Sequence, residues 1–193
     1  VNEGKLPKEN GKPLIPRSWQ DLTDVRYRGV VVMPSPYTSG TGYMALSGLL
    51  QSSPYGEADG WAYMDRLHEN VAAYTSSGAE PCRLVAGDGN PGMAIGIAAN
   101  ICPSGGEPTG LTTIYPKEGA GWEMDAVALV RKDRIGEDAM DFMAWAISKE
   151  AMERYAQFRA ALSYTGPEPI QGCTGGFDEE RMIPNRFLWA GAN

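Results

Sequence analysis

VVVMPSPYTSGTGYMALSGLLQ, residues 30–51, decides the fold. It opens with four consecutive apolar residues, Val30 to Met33, three of them β-branched. Such a run, released by Gly29 and stopped by Pro34, predicts a strand buried on both faces, as in a parallel sheet. Pro34 to Gly42 is a turn-rich loop, and Tyr43 to Gln51 carries Met44, Leu46, Leu49 and Leu50 at helical spacing. Strand, Ser-Gly turn and helix in that order make the opening unit of an α/β domain.

The same order recurs downstream. A helix is predicted from Glu57 to Glu69 with Trp61, Met64, Leu67 and Val71 as its buried stripe. Val71 to Tyr74 then reads as a strand, Thr75-Ser76-Ser77-Gly78 as a turn, and Ala79 to Ala86 as a helix. Further strands are predicted at Met93–Ala99, Leu111–Tyr115 and Met124–Arg131. The remainder reads as helical, over Glu137–Ile147 and then from a Ser148 cap through Leu162, before an irregular tail with a short helix near Asn185–Ala190. Upstream, Ser18 and Asp21 form a helix-start signal for Trp19 to Leu22. Residues 1–17 hold three prolines and read as an arm with at most a turn of helix.

Composition narrows the function. The 193 residues carry 17 Lys and Arg against 24 Asp and Glu, a formal charge of −7. No basic cluster offers the footprint that nucleic acid requires, so no nucleic-acid partner is expected. Apolar content of 42% and charged content of 21% match a globular chain and exclude disorder. The apolar runs fall far short of a membrane span. His68 is the one histidine, which excludes two-histidine metal sites, and its place beside Leu67 on a helix reads as structural. Cys82, Cys102 and Cys173 form no CxxC pair, so no zinc site is expected; of these, Cys82 and Cys102 are the stronger candidates for a disulfide.

Chemistry is expected at the two turns. A helix N-terminus presents unpaired N–H groups and a partial positive charge, glycine lets a ligand reach the backbone, and Ser and Thr add donors. Thr38, Ser39, Gly40 and Thr41 form one such turn, and Ser76, Ser77 and Gly78 the other. Cap and turn chemistry accounts for either alone; two of them, each following a strand in one small domain, point to a receptor for an anion. The loop Glu118-Gly-Ala-Gly-Trp122 reads either as a flexible turn or as a cleft edge offering Glu118 or Trp122 to a solute. Gly87-Asp-Gly-Asn-Pro-Gly92 lacks the acidic ligands of a calcium loop and reads as a helix-to-strand turn. With no GxSxG elbow, no Walker loop and no motif around His68, no catalytic residue, metal or cofactor is expected.

Seven ordered segments carry a resemblance: SWQDLTDVRYRG (18–29), MPSPYTSGTGY (33–43), LHENVAAYTSSGAEPCRL (67–84), AIGIA (94–98), YPKEGAGWEMDAVALV (115–130), FMAWAISKEAM (142–152) and MIPNRFLWAGAN (182–193). Together they resemble type 2 periplasmic solute-binding proteins of ABC importers, of the ferric-iron and phosphonate class. The resemblance implies two α/β lobes around a solute cleft, with most of the first lobe lying before Val1. Residues 1–17 would then lead in from that lobe as an arm, 18–115 would form the second lobe, and 116–193 would cross the hinge and return as helices. Those helices would lack part of their packing surface, favouring self-association.

The resemblance further implies capture of a small oxyanion, a phosphonate or phosphate ester, and an ABC permease as partner, in the periplasm or on an extracellular membrane anchor. Ferric binders of this class place adjacent tyrosines where Asn100 and Ile101 stand here, which weighs against iron, though iron remains the alternative. A sensor domain and a hydrolase using Ser39 or Ser77 are alternatives of other classes.

Overall fold

The computed structural model describes residues 1–52, 56–87, 89–98, 111–122, 126–158, 166–168 and 179–184, with 162, 164, 170, 186 and 188 singly. The chain divides into two compact units. Unit 1 comprises Val1–Ala99, Pro108–Glu123 and Asp178–Asn193, and unit 2 comprises Asn100–Glu107 and Met124–Phe177.

Unit 1 is built on the strand expected from the Val30 run. Strand β3 (Val31–Pro34) is buried along its whole length. It lies at the centre of a parallel sheet, between β4 (Val71–Thr75) and β5 (Ile95–Gly96). Pro34 is in register with Thr75, so both strands end at the same edge. Helices α1 (Gly40–Gln51) and α2 (Gly56–His68) connect β3 to β4, and α3 (Glu80–Ala86) connects β4 to β5. Parallel neighbours need such crossovers, which cover the sheet and make its central strand apolar on both sides.

Val31, Met33, Leu49, Tyr63, Leu67 and Ile95 form the centre of the core, joined by Leu6, Leu22 and Tyr27. Its two tyrosines place their hydroxyls on carbonyls, Tyr27 on Leu14 at 2.9 Å and Tyr63 on Trp19 at 2.7 Å. A buried phenol needs such a partner. Buried Asn70 likewise donates to Leu22 and Asp24 carbonyls.

The capping reading at Ser18 holds in detail. Asp21 Oδ2 accepts from Ser18 N–H and Ser18 Oγ accepts from Asp21 N–H, each at 3.1 Å. This reciprocal box starts a 3-10 helix, Gln20–Thr23.

Several expectations are corrected. The first 17 residues form a hairpin, β1 (Lys8–Glu9) with β2 (Lys12–Pro13), and Leu6 enters the core. Asn10 and Gly11 both take positive φ at its turn, the geometry an Asn-Gly pair favours. Trp61 is half exposed, whereas Tyr63 is fully buried in its place, its phenol satisfied by Trp19. The Met93–Ala99 strand shrinks to two residues, because only Val31 and Val32 of β3 pair with it. Leu111 to Tyr115 contributes only a bridge, from Leu111 to Asn2. Residues 126–131 are irregular and exposed instead of a strand; Met124 and Asp125 lie outside the described residues. Cys82 is a free thiol, so no bond to Cys102 forms; Cys102 and Cys173 themselves lie outside the described residues.

In unit 2, α4 (Glu137–Ala146) and α5 (Lys149–Tyr155) are joined at Ser148. Ser148 Oγ caps α5 by accepting from Ala151 N–H at 3.2 Å, as expected. Helix α5 ends at Tyr155, short of the expected Leu162. Most of the expected helix at 185–190 lies outside the described residues.

Candidate functional site

The two Ser-Gly turns leave the sheet side by side. Pro34 and Thr75 are paired at the ends of β3 and β4, and Ser35 N–H bonds to Thr75 carbonyl at 2.8 Å. Both turns therefore start from one hydrogen-bonded edge. The carboxyl edge of a parallel sheet is where open α/β folds take their ligands.

The first turn is wound on Ser35, whose carbonyl accepts from Thr38 and Ser39 N–H. Ser39 is the N-cap of α1, in extended conformation, with Oγ accepting from Gly42 N–H at 3.4 Å. The N–H groups of Gly40 and Thr41 have no hydrogen-bond partner among the described residues. Thr38 and Gly40 are exposed. The first turn of α1 carries no acidic residue, although α3 starts with Glu80 and α4 with Glu137 and Asp138. Acidic side chains usually answer the positive end of a helix dipole; the first turn of α1 has none.

Gly42 is fixed for a different reason. A Cβ there would lie 2.5 Å from the Pro34 carbonyl oxygen and 2.7 Å from Ser35 backbone. The absence of a side chain seats α1 directly against the end of β3.

In the second turn, Thr75 Oγ1 donates to Ser77 carbonyl at 2.9 Å and Ser77 Oγ accepts from Ala79 N–H at 3.4 Å. Ser76 and Ser77 are exposed. Gly78 lies against Thr41, its absent Cβ leaving room for the Thr41 hydroxyl. The two turns thus meet at Gly78 and Thr41, with Thr38, Gly40, Ser76 and Ser77 exposed beside them.

Glu118 has a structural place. Its carboxylate accepts from Trp19 N–H at 3.1 Å and Gln20 N–H at 3.5 Å, closing the start of the 3-10 helix. The loop around it is held by hydrogen bonds and stays partly exposed at Glu118 and Trp122. Ala120 N–H bonds to Arg181 carbonyl, Ile183 N–H to Ala120 carbonyl, and Trp122 Nε1 donates to Ile183 carbonyl at 2.9 Å. Gly121 approaches Met44 carbonyl of α1 closely enough that a Cβ would stand 2.7 Å from it.

His68 is exposed, with Nδ1 2.9 Å from Tyr74 hydroxyl and the two rings stacked. No group of three His, Cys, Asp or Glu among the described residues could hold a metal. Asn100 and Ile101, which bear on iron, lie outside the described residues. No helix among the described residues is long and apolar enough to cross a membrane.

A parallel sheet whose carboxyl edge gathers two Ser-Gly turns is thus the frame of this α/β unit. Residues 1–172 match the family of bacterial extracellular solute-binding proteins, and the chain belongs to that family. A Haemophilus influenzae protein is 34% identical over 153 residues, 79% of this chain and 43% of that one. The phosphoglycerate transport regulatory protein PgtC of Salmonella typhimurium is 26% identical over 171 residues, 88% of this chain and 40% of PgtC. Among solved structures, the periplasmic binding protein AfuA from Actinobacillus pleuropneumoniae, with exogenous fructose-6-phosphate bound, superposes with a TM-score of 0.75. The identity is 27%, over 94% of this chain and 56% of AfuA. The periplasmic binding protein P5PA shares the fold at a TM-score of 0.72 and 22% identity, over 99% of this chain and 60% of its own. The chain spans less than half the length of the two sequence relatives.

Proposed function

We propose that this chain is the solute-gripping part of a periplasmic binding protein that captures a small phosphate-bearing anion for an ABC permease. The observation that carries the reading is the meeting of the two turns at one sheet edge, with Gly78 against Thr41. A phosphoryl or phosphonyl group offers three acceptor oxygens. Gly40 and Thr41 N–H and the hydroxyls of Thr38, Ser39, Ser76 and Ser77 supply donors suited to them. Glu118, already bound to Trp19 and Gln20, serves the fold instead of the solute.

Two relatives support the class of solute: AfuA holds fructose-6-phosphate and PgtC is named for phosphoglycerate transport. No bond is made or broken in this role, so no nucleophile or general base is needed. Capture occurs outside the cytoplasm, in the periplasm or on an extracellular membrane anchor.

Titration calorimetry tests the proposal with fructose 6-phosphate, 3-phosphoglycerate and methylphosphonate. Saturable heat is expected with at least one of them, weakened by about tenfold or more in folded Ser39→Ala. Absence of heat across a wider panel of phosphate esters and phosphonates would sink it.

A further inference from the structure

The turn after α3, set aside as a calcium loop, gathers carbonyl oxygens around a cation that belongs to the chain itself. Lys5 Nζ lies 2.8 Å from Val85 carbonyl, 2.5 Å from Gly87 carbonyl and 3.3 Å from Asn90 carbonyl. An ammonium has three N–H donors and no acceptor, and here each donor meets one carbonyl. The acceptors lie 80 to 85 residues away in sequence, so this is tertiary assembly and not a local turn. Asn2 braces the same place. Its Nδ2 donates to Val85 carbonyl at 3.0 Å, and its N–H bonds to Ala94 carbonyl at 2.8 Å. Leu6, next to Lys5, anchors the segment in the core.

We propose that the carbonyls of Val85, Gly87 and Asn90 form a monovalent-cation site whose resident cation is the Lys5 ammonium. Removal of that ammonium opens the site to free potassium or ammonium. Backbone carbonyls can replace the hydration shell of a singly charged ion. The three oxygens are neutral, so they do not offset a double charge as the carboxylate ligands of calcium do. Two of them, Val85 and Gly87, stand at the end of α3, where unpaired carbonyls favour positive charge. The tether makes the cation permanent, and it ties the end of α3 to the N-terminal segment.

The test is Lys5→Met in the full chain, which keeps an apolar stem and removes the charge. Thermal melts are compared in chloride salts of potassium, ammonium, lithium and tetramethylammonium at equal ionic strength. In lithium or tetramethylammonium the variant is expected to melt roughly 4–10 °C below the parent. Potassium or ammonium restores at least half of that loss, while the parent melts alike in all four. Equal melting of the variant in all four salts overturns the proposal, as does the same salt ranking in the parent. Should the variant fail to fold, the parent supplies its own measurement, nitrogen-15 NMR of the lysine ammonium groups. A Lys5 signal protected from solvent exchange is expected, and an ammonium exchanging as fast as those of surface lysines overturns the proposal.

Discussion

Gly78 lies against Thr41 so closely that a Cβ on Gly78 would stand 2.1 Å from Thr41 Oγ1 and 2.7 Å from its Cβ. Two turns that begin 37 residues apart in sequence, Thr38 and Thr75 taken as their starts, are thereby held in contact. Gly78→Ala should push them apart. Expected are a stability loss of about 1–3 kcal/mol in urea melts and a larger proportional loss of solute affinity. Adding Thr41→Gly to Gly78→Ala should recover part of the binding, although Gly itself costs the helix about 1 kcal/mol. A double-mutant cycle without coupling between positions 41 and 78 would contradict this packing.

Gly40 separates stability from binding. No atom lies within 4 Å of a Cβ built there, and its φ is not positive. Gly40→Ala should therefore hold or raise stability, by up to about 1 kcal/mol, through the unfolded chain. The added methyl stands at the exposed start of α1, where the proposed solute meets the backbone. Calorimetry should show weaker binding in a protein that melts no lower than its parent. Unchanged affinity would move the solute away from α1.

Gly42 should behave in the opposite way. Its neighbours are the backbone atoms of Pro34 and Ser35, which cannot rotate aside as a side chain can. Gly42→Ala is expected to cost about 2–4 kcal/mol by displacing α1 from β3, read as a lower urea midpoint at unchanged slope.

What the sequence made legible was local in character. The Val30 run, the Ser18–Asp21 box and the Ser148 cap each depend on neighbours within a few residues, and each is present. The approach of Gly78 to Thr41 depends on the pairing of Pro34 with Thr75, which no local pattern encodes. Strand β5 is two residues long, too short for alternation to mark. Trp61 outranks Tyr63 on hydropathy, yet Tyr63 is interior because its hydroxyl finds the Trp19 carbonyl. The hairpin at Asn10-Gly11 has a dipeptide signal that the reading of residues 1–17 from their prolines passed over. Glu118 looked available because its partners at Trp19 and Gln20 lie almost a hundred residues earlier.

Asp21 predicts the acid limb of stability. Burial alone would raise its pKa, but the N–H groups of Arg17 and Ser18 and the Ser18 hydroxyl outweigh it and hold the carboxyl below its usual value. A depressed acid contributes stability above its unfolded pKa, near 4, and loses it as pH falls through the folded value. Asp21→Ala removes the box, and is expected to cost about 1 kcal/mol at pH 7. That difference from the parent should shrink in urea melts below about pH 4. A gap that persists undiminished at pH 2 would mean that the carboxylate is not what starts this helix.

Tyr27 sets the alkaline limb. Burial, with the Asp21 carboxylate assisting, pushes its phenol up to about 12 from the ordinary 10.0. Here the protonated form is the one the fold retains, and its hydroxyl donates to Leu14 carbonyl at 2.9 Å. The unfolded chain gives up this proton first, so the contribution is complete below pH 10 and disappears as pH rises through 12. Tyr27→Phe should lose about 1 kcal/mol near neutrality, where the hydrogen bond is intact. Above pH 10 its stability should fall less steeply than that of the parent. Parallel curves between pH 9 and 12 would show that Tyr27 titrates in the fold as it does in the unfolded chain.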